Sequence, residues 1–377
     1  MRLINKIIIF ALFAISALVL AACGGGGSGS SSSGSTSGDN SSGSGGNTGD
    51  NGSSSSIAAQ ASYAYITERG TAINEGRILK CTVEADGTFS NCAETGGNFP
   101  GPISISLSGG SAFIVNKPVG AVALSDHWAD DNVAHSVWQC SIDASTGELS
   151  GCASIQENEV VHIDDVYVSG DMIYILQRYG DLIMRCTVAV DGSTCTGLTT
   201  VTGLSVPVHI AVSGTRLYFA KSNLSSSCIS LCTFNATAGT ISDCSDANAS
   251  TFAFSPAGDY NDVQPTGIAL SDSYAFIASR HNGDVVSCKI NSSGKFSDCT
   301  AYPLTGATVE NLNRIAVQGN YVYVTNTAES TSAGSVIRCA VESDGALSNC
   351  SALSSLSFNS GLVDTDSYGS DIRFLYK

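Results

Sequence analysis

The chain has 377 residues, of which 43% are hydrophobic and only 13% charged, with 40 glycines, 14 cysteines and a formal net charge of −16. An acidic balance of this size argues against nucleic acid and anionic lipid surfaces as partners, because both are themselves negative. The cysteine content points to an oxidising, extracytoplasmic compartment.

Arg2 and Lys6 precede an apolar run from Ile7 to Leu20, which leads into Leu20-Ala21-Ala22-Cys23. The run is short for a membrane span and small residues stand directly before the cysteine, which is the pattern of a cleaved export signal over residues 1–22. The segment resembles the signals of bacterial lipoproteins. That resemblance implies cleavage before Cys23, a diacylglyceryl thioether on its sulfur and acylation of its amine, and several acyl chains make a lasting membrane anchor. Glycines after Cys23 imply, within that family, delivery to the outer membrane of a Gram-negative cell envelope. Loss of the two cations Arg2 and Lys6 takes the formal charge from −16 to −18.

Residues 23–56 comprise this cysteine and a run of Gly and Ser with a few Asn, Asp and Thr. Such a segment has no apolar surface to offset the entropy of ordering and reads as a disordered tether, with a root-mean-square span of roughly 30 Å.

One repeated unit runs through residues 57–377. Twelve cysteines form six pairs of similar spacing: Cys81 with Cys92, Cys140 with Cys152, Cys186 with Cys195, Cys232 with Cys244, Cys288 with Cys299, and Cys339 with Cys350. Most pairs enclose a glycine turn such as Asp86-Gly87 or Asp344-Gly345 flanked by β-prone residues, so each brackets a β-hairpin. Directly opposed cysteines on antiparallel strands lie within disulfide reach, and that is the expected register. No C-x-x-C or Cys/His cluster of zinc spacing occurs. Cys228 is left over, as a buried thiol, an intermolecular partner or an alternative partner for the Cys232 hairpin.

Two further strands precede each hairpin. The first reads Ile105-Ser-Leu-Ser-Gly109, Val166-Tyr-Val-Ser-Gly170, Ile210-Ala-Val-Ser-Gly214, Ile268-Ala-Leu-Ser-Asp272 and Ile315-Ala-Val-Gln-Gly319. The second follows at once, for example Leu217 to Ala220 or Tyr321 to Thr325. Four short antiparallel strands per unit predict an all-β, six-bladed β-propeller. The first unit lacks an innermost strand, and Ile372 to Tyr376 supplies it from the other end of the chain, closing the ring.

Tyr323-Val324-Thr325-Asn326, with Arg314-Ile-Ala-Val before it, and Ile142-Asp-Ala-Ser-Thr-Gly-Glu-Leu149 resemble the strands and turns of YVTN/lactonase-like propellers. The resemblance implies the fold, and two features depart from it: those families usually have seven blades and do not generally carry a cysteine pair in every outer hairpin.

In a propeller the channel mouth is formed by residues just before each innermost strand and just after each second strand. The first ring is Ser104, Asp165, His209, Gly267, Arg314 and Asp371, and the second is Arg69, Lys117, Arg178, Ser222, Arg280 and Thr327. Four cations in the second ring form a collar able to hold a small anion, with Arg as a bidentate donor. The competing role for them is ion pairing with carboxylates such as Glu68, Asp165, Asp181 and Asp284. Asp165, His209 and Asp371 have the chemistry of divalent-metal ligands. The insertion 116–136 carries His127 and Trp128, placed either to contact an envelope protein or glycan or to fold back as a lid. No G-x-S-x-G elbow, H-E-x-x-H or phosphate loop is present. The chain therefore reads as a membrane-anchored binding or scaffold module without catalysis or an obligatory cofactor, with a lactonase-like or metal-dependent hydrolase as the alternative.

Overall fold

The computed structural model describes residues 61–70, 76–118, 135–156, 163–177, 182–187, 194–200, 206–221, 229–247, 265–280, 283–305, 309, 311–327, 334–354, 356 and 370–376. All of them belong to one compact unit, Ser55–Lys377. The export signal, Cys23, the tether, His127, Trp128, Arg178 and Cys228 lie outside the described residues.

The unit is a six-bladed propeller of 24 strands in six four-stranded antiparallel sheets, without helices among the described residues. Blade 1 is ordered β24-β1-β2-β3, where β1 is Ala61–Glu68, β2 Gly76–Val83, β3 Phe89–Phe99 and β24 Ile372–Tyr376. Blades 2 to 6 each use four consecutive strands and begin with the innermost strands β4 (Pro102–Ser108), β8 (Ile163–Ser169), β12 (Pro207–Ser213), β16 (Pro265–Leu270) and β20 (Asn311–Gln318). Ring closure occurs as the sequence predicts: Ile66 pairs with Ile372 and Ala64 with Phe374.

Each blade lies between two others, so its second strand is covered on both faces. This is why those strands read as unbroken apolar runs, Ala112-Phe-Ile-Val115 and Leu217-Tyr-Phe-Ala220 among them, all buried. The apolar core is divided into six clusters, one per blade interface. Tyr65, Ile78 and Phe99 of blade 1 meet Ile105 and Ile114 of blade 2, and Val208 and Tyr218 of blade 4 meet Ile268 and Ile277 of blade 5.

Disulfides join Cys81–Cys92, Cys140–Cys152, Cys232–Cys244, Cys288–Cys299 and Cys339–Cys350. Cys186 is also disulfide-bonded, with Cys195 opposite it in the strand register. The expectation of directly opposed cysteines holds only for that third hairpin and needs correction for the other five. There the register shifts at the cysteines, as between Lys80 and Thr82 or between Arg338 and Ala340, which marks a β-bulge. The residue before the second cysteine has positive φ: Asn91 48°, Gly151 59°, Asp243 52°, Asp298 49° and Asn349 50°. Asn, Asp and Gly are the residues that tolerate this left-handed conformation. The sequence repeats the device as Ser90-Asn-Cys92, Ser150-Gly-Cys152, Ser242-Asp-Cys244, Ser297-Asp-Cys299 and Ser348-Asn-Cys350. Blade 3 has Ser193-Thr-Cys195 instead. β-Branched Thr194 stays in the strand ladder opposite Thr187, so the two cysteines face each other.

Candidate functional site

A second set of bulges builds the axis. In blades 2 to 6 the register of the innermost strand shifts at its start: between Pro102 and Ser104, Ile163 and Asp165, Pro207 and His209, Pro265 and Gly267, and Leu312 and Ile315. A bulge bends the strand and re-aims the next side chain. Ser104, Asp165, His209 and Gly267 stand at the end of these shifts and Arg314 within its own. Five of the six first-ring positions thus lie inside the innermost strands, a correction to the sequence expectation, and Asp371 alone stands just before its strand. Ser104, Asp165, His209, Arg314 and Asp371 are all buried.

Their side chains act between blades. The innermost strand has no partner on its axial edge, so its backbone N–H groups need acceptors from elsewhere. Ile105 N–H donates to Asp371 Oδ2 (3.1 Å), Ile210 N–H to Asp165 Oδ2 (2.8 Å) and Ile268 N–H to His209 Nδ1 (3.2 Å). In each case the acceptor sits one blade earlier. Ser104 Oγ lies 2.5 Å from Asp165 Oδ1 and 3.3 Å from Asp371 Oδ2, joining the two acids, while Val166 N–H and Ile372 N–H donate to their own neighbours Asp165 (2.9 Å) and Asp371 (2.8 Å). Gly267 is the position without a side chain, and a Cβ there would come within 2.9 Å of the Asn313 carbonyl.

Arg314 crosses the axis. From blade 6 its guanidinium donates to the carbonyl of Thr266 in blade 5, and Nη2 to that of Asp164 in the opposite blade 3 (2.8 Å). The YVTN segment supports this brace. Thr325 Oγ1 accepts from Arg314 N–H (2.9 Å) and lies 3.0 Å from the Ser370 carbonyl of blade 1, Tyr323 Oη donates to the Gly87 carbonyl of blade 1 (2.8 Å), and Asn326 Oδ1 accepts from Asn311 N–H (3.2 Å). Blade 1 repeats the arrangement in Tyr65-Ile66-Thr67: Tyr65 Oη donates to Gly147 O (2.6 Å) and Thr67 Oγ1 accepts from Asp371 N–H (2.7 Å).

Of the second ring, Arg178 and Ser222 lie outside the described residues, and Arg69 and Arg280 stand at seams between blades. Arg69 is buried and donates from Nε to Lys117 O (2.9 Å) and from Nη2 to Pro118 O (3.3 Å), both in blade 2. Lys117 and Arg280 are also buried. Glu68 pairs with Arg77 at 2.5 Å.

Arg373, which the ring-by-ring reading of the sequence does not include, stands beside the first ring. Its Nε donates to Ile105 O (3.1 Å), Nη1 lies 3.4 Å from Asp371 Oδ1, and Nη2 is 3.9 Å from Asp165 Oδ1 and 3.0 Å from His209 Nε2. Its side chain is 23% exposed, whereas those of Asp165 and Asp371 are fully buried. Burial, reinforced by Arg373 and Arg314, holds His209 well below the usual histidine range, so the ring is neutral at pH 7. Burial pushes the Asp165 carboxyl up, against the pull of Arg314 and Arg373.

Along the innermost strands the axis opens into a funnel of about 290 Å³. His209 and Arg373 lie at its deep end, Ala211, Ala269, Ala316, Val168, Val212, Leu270 and Val317 form its walls, and Tyr167, Phe374 and Tyr376 add aromatic surface. The funnel runs toward the C-terminal ends of the innermost strands, away from the end at which both rings lie. Among the described residues no group of three or more metal-ligating side chains is placed to hold an ion. Asp165, His209 and Asp371 do converge on the axis, but both oxygens of each acid and Nδ1 of the histidine already accept N–H donors.

The description "LVIVD repeat" fits residues 311–329, the first two strands of blade 6. No curated protein matches the sequence. Among solved structures the propeller is similar to a chain of a nidogen/laminin complex (TM-score 0.54, 11% identity, covering 82% of this chain and 98% of that one). It is also similar to a periplasmic gluconolactonase from Pseudomonas aeruginosa (TM-score 0.50, 16% identity, 83% and 99%). A putative 6-phosphogluconolactonase from Bacteroides uniformis matches at TM-score 0.50 and 14% identity over 76% of this chain and 81% of that one. At these identities the likeness concerns the fold.

Proposed function

We propose that this chain is an exported lipoprotein, anchored at the cell envelope through Cys23, whose propeller is a noncatalytic binding module. The observation that carries the reading is the use made of the axial polar groups. The carboxylates of Asp165 and Asp371 accept backbone and hydroxyl donors from neighbouring blades, a structural task that leaves neither acid exposed as a general base. Six interface cores and the bonds between axial side chains hold the ring together, and the cavity beside Arg373 is the part of the axis left open for recognition. Binding at the propeller and anchoring at the far end of a Gly/Ser tether fit a module that presents a site at a distance from the bilayer. Its ligand is an envelope protein, a glycan or a small anion, and its acidity disfavours nucleic acid.

The test has two arms. Metabolic labelling with an alkyne fatty acid should mark the wild-type chain in the membrane fraction, and Cys23→Ala should abolish both the label and the membrane retention; retention without Cys23 overturns the anchor. Purified protein incubated with gluconolactone, with and without added calcium or manganese, should give no turnover above buffer. Turnover that disappears in Asp165→Asn would replace the binding reading with hydrolysis.

A further inference from the structure

We propose that the funnel is a binding site for a small carboxylate with an apolar or aromatic body, held by Arg373 and His209. The proposal deepens the reading of the propeller as a binding module by naming the ligand class and the face on which it enters.

The first argument is a count of protons and lone pairs. A neutral imidazole has one N–H and one acceptor nitrogen. His209 Nδ1 takes the N–H of Ile268 at 3.2 Å, which puts the ring proton on Nε2. Yet Nε2 stands 3.0 Å from Arg373 Nη2, which is also a donor, and 3.8 Å from the nearest oxygen of Asp165, too far for a hydrogen bond. Moving the proton to Nδ1 only shifts the conflict to Ile268. Two donors thus face each other across 3.0 Å on the lining of the funnel, and neither satisfies the other. An anionic oxygen there accepts from both, which is the arrangement an arginine and an imidazole N–H offer to a carboxylate.

The second argument is the shape and lining of the space. The guanidinium is fixed through Nε on Ile105 O and Nη1 beside Asp371, so Nη2 is pre-aimed at the histidine. Above this polar floor Ala211, Ala269 and Ala316 leave room that larger residues would fill, and the hydroxyls on the lining are those of Ser106, Tyr167 and Tyr376. Tyr376, 52% exposed, presents a large ring to solvent at the far end. The volume of about 290 Å³ is at the small end of ligand sites, and the few polar groups are concentrated where a ligand's charge would sit. A polyol would find few side-chain partners along these walls.

Benzoate is the probe, with benzamide as its neutral counterpart and gluconate as a polar carboxylate, each titrated calorimetrically into the intact chain. Benzoate is expected to bind one to one and to outcompete both others by at least about tenfold, the value of one charge-assisted hydrogen bond. Arg373→Gln and His209→Gln should each weaken it by a similar factor. Ala269→Leu, which occupies the wall without touching charge, should abolish binding while leaving the circular dichroism spectrum unchanged. If Arg373→Gln does not fold, the wild type decides: benzoate should protect Arg373 from phenylglyoxal, read by peptide mass spectrometry, while Arg338 and Arg216 stay reactive. No benzoate binding, equal binding of benzamide, or undiminished modification of Arg373 overturns the site. Lactone turnover with benzoate binding intact would instead overturn only the noncatalytic reading.

Discussion

At the rim, five blades carry serine, a residue tolerant of left-handed backbone, and cysteine in the same order. Around the axis the six equivalent positions carry Ser104, Asp165, His209, Gly267, Arg314 and Asp371. At the rim the disulfide and its bulge lie within one hairpin, so the same local problem, holding two strands together at a bulge, has the same answer five times. Around the axis each side chain is its neighbour's environment. Six identical charges there would repel one another across a few ångströms of poorly screened space. Acids, donors and a glycine therefore alternate so that each position accepts from, donates to or makes way for the next. The repeated residues report a structural device, and the divergent ones report a shared site.

The comparison breaks most sharply at Arg314. Arg314→Met removes a buried charge that serves three blades and compensates Asp165, and should cost about 3–5 kcal/mol in urea unfolding. A loss below 1 kcal/mol would mean that the cross-axis brace is not needed. Rim substitutions should be smaller and interchangeable. Replacing Cys81 and Cys92, or Cys339 and Cys350, by alanine opens a loop of sequence separation 11, worth about 2–3 kcal/mol in the chain-entropy model. The two losses should agree, and a large difference between blades would undo the claim of equivalence.

Tyr323→Phe should cost about 1 kcal/mol, because its hydroxyl staples blade 6 to the Gly87 carbonyl of blade 1. Tyr174→Phe should cost nothing measurable by the same assay. Its buried hydroxyl has no partner among the described residues, and Arg185 takes the corresponding Gly239 carbonyl of blade 4 (3.0 Å). The smallest effect concerns slope. His209 is held below its ordinary range, so the unfolded chain takes up a proton more readily, and its contribution to stability, complete above pH 6.5, is lost as pH falls below that value. Asp165, shifted upward, acts in the opposite sense, as the native state takes up its proton first on acidification. The stability difference between wild type and His209→Gln, measured by thermal melting, should therefore narrow from pH 7 to pH 5. A constant difference would show that His209 does not titrate against folding.

The same contrast explains what could be read from the sequence. Strand order, blade number, cysteine pairing and closure by Ile372 to Tyr376 all follow from spacing and periodicity, which repeat. The Ser-x-Cys bulge was equally open to reading, in the residue before each second cysteine, but pair spacing alone does not display it. Thr194 shows that the signal lies in the middle residue. Membership of one ring was legible for Asp165, His209 and Asp371, but their convergence was not. The reach of Arg314 to the opposite blade was not, because the direction of a long side chain depends on bulges that its own sequence does not mark. Arg373 escaped because taking one residue per blade passes over the next inward position, where most blades carry alanine or serine and only blade 1 carries a charge.

The closing strand has a consequence for the order in which the molecule becomes competent. Asp371 and Arg373 follow the other 23 strands in the chain, so half of the axial charge arrives with the segment that shuts the ring. A polypeptide released before Asp371 would form five complete blades and their disulfides, yet it would leave β1 with an unpaired edge and the funnel without its cation. Edge closure and assembly of the axial charges are thereby a single event: the pairing of β24 with β1 that removes the last open edge also brings Arg373 beside His209 and Asp371 beside Ser104.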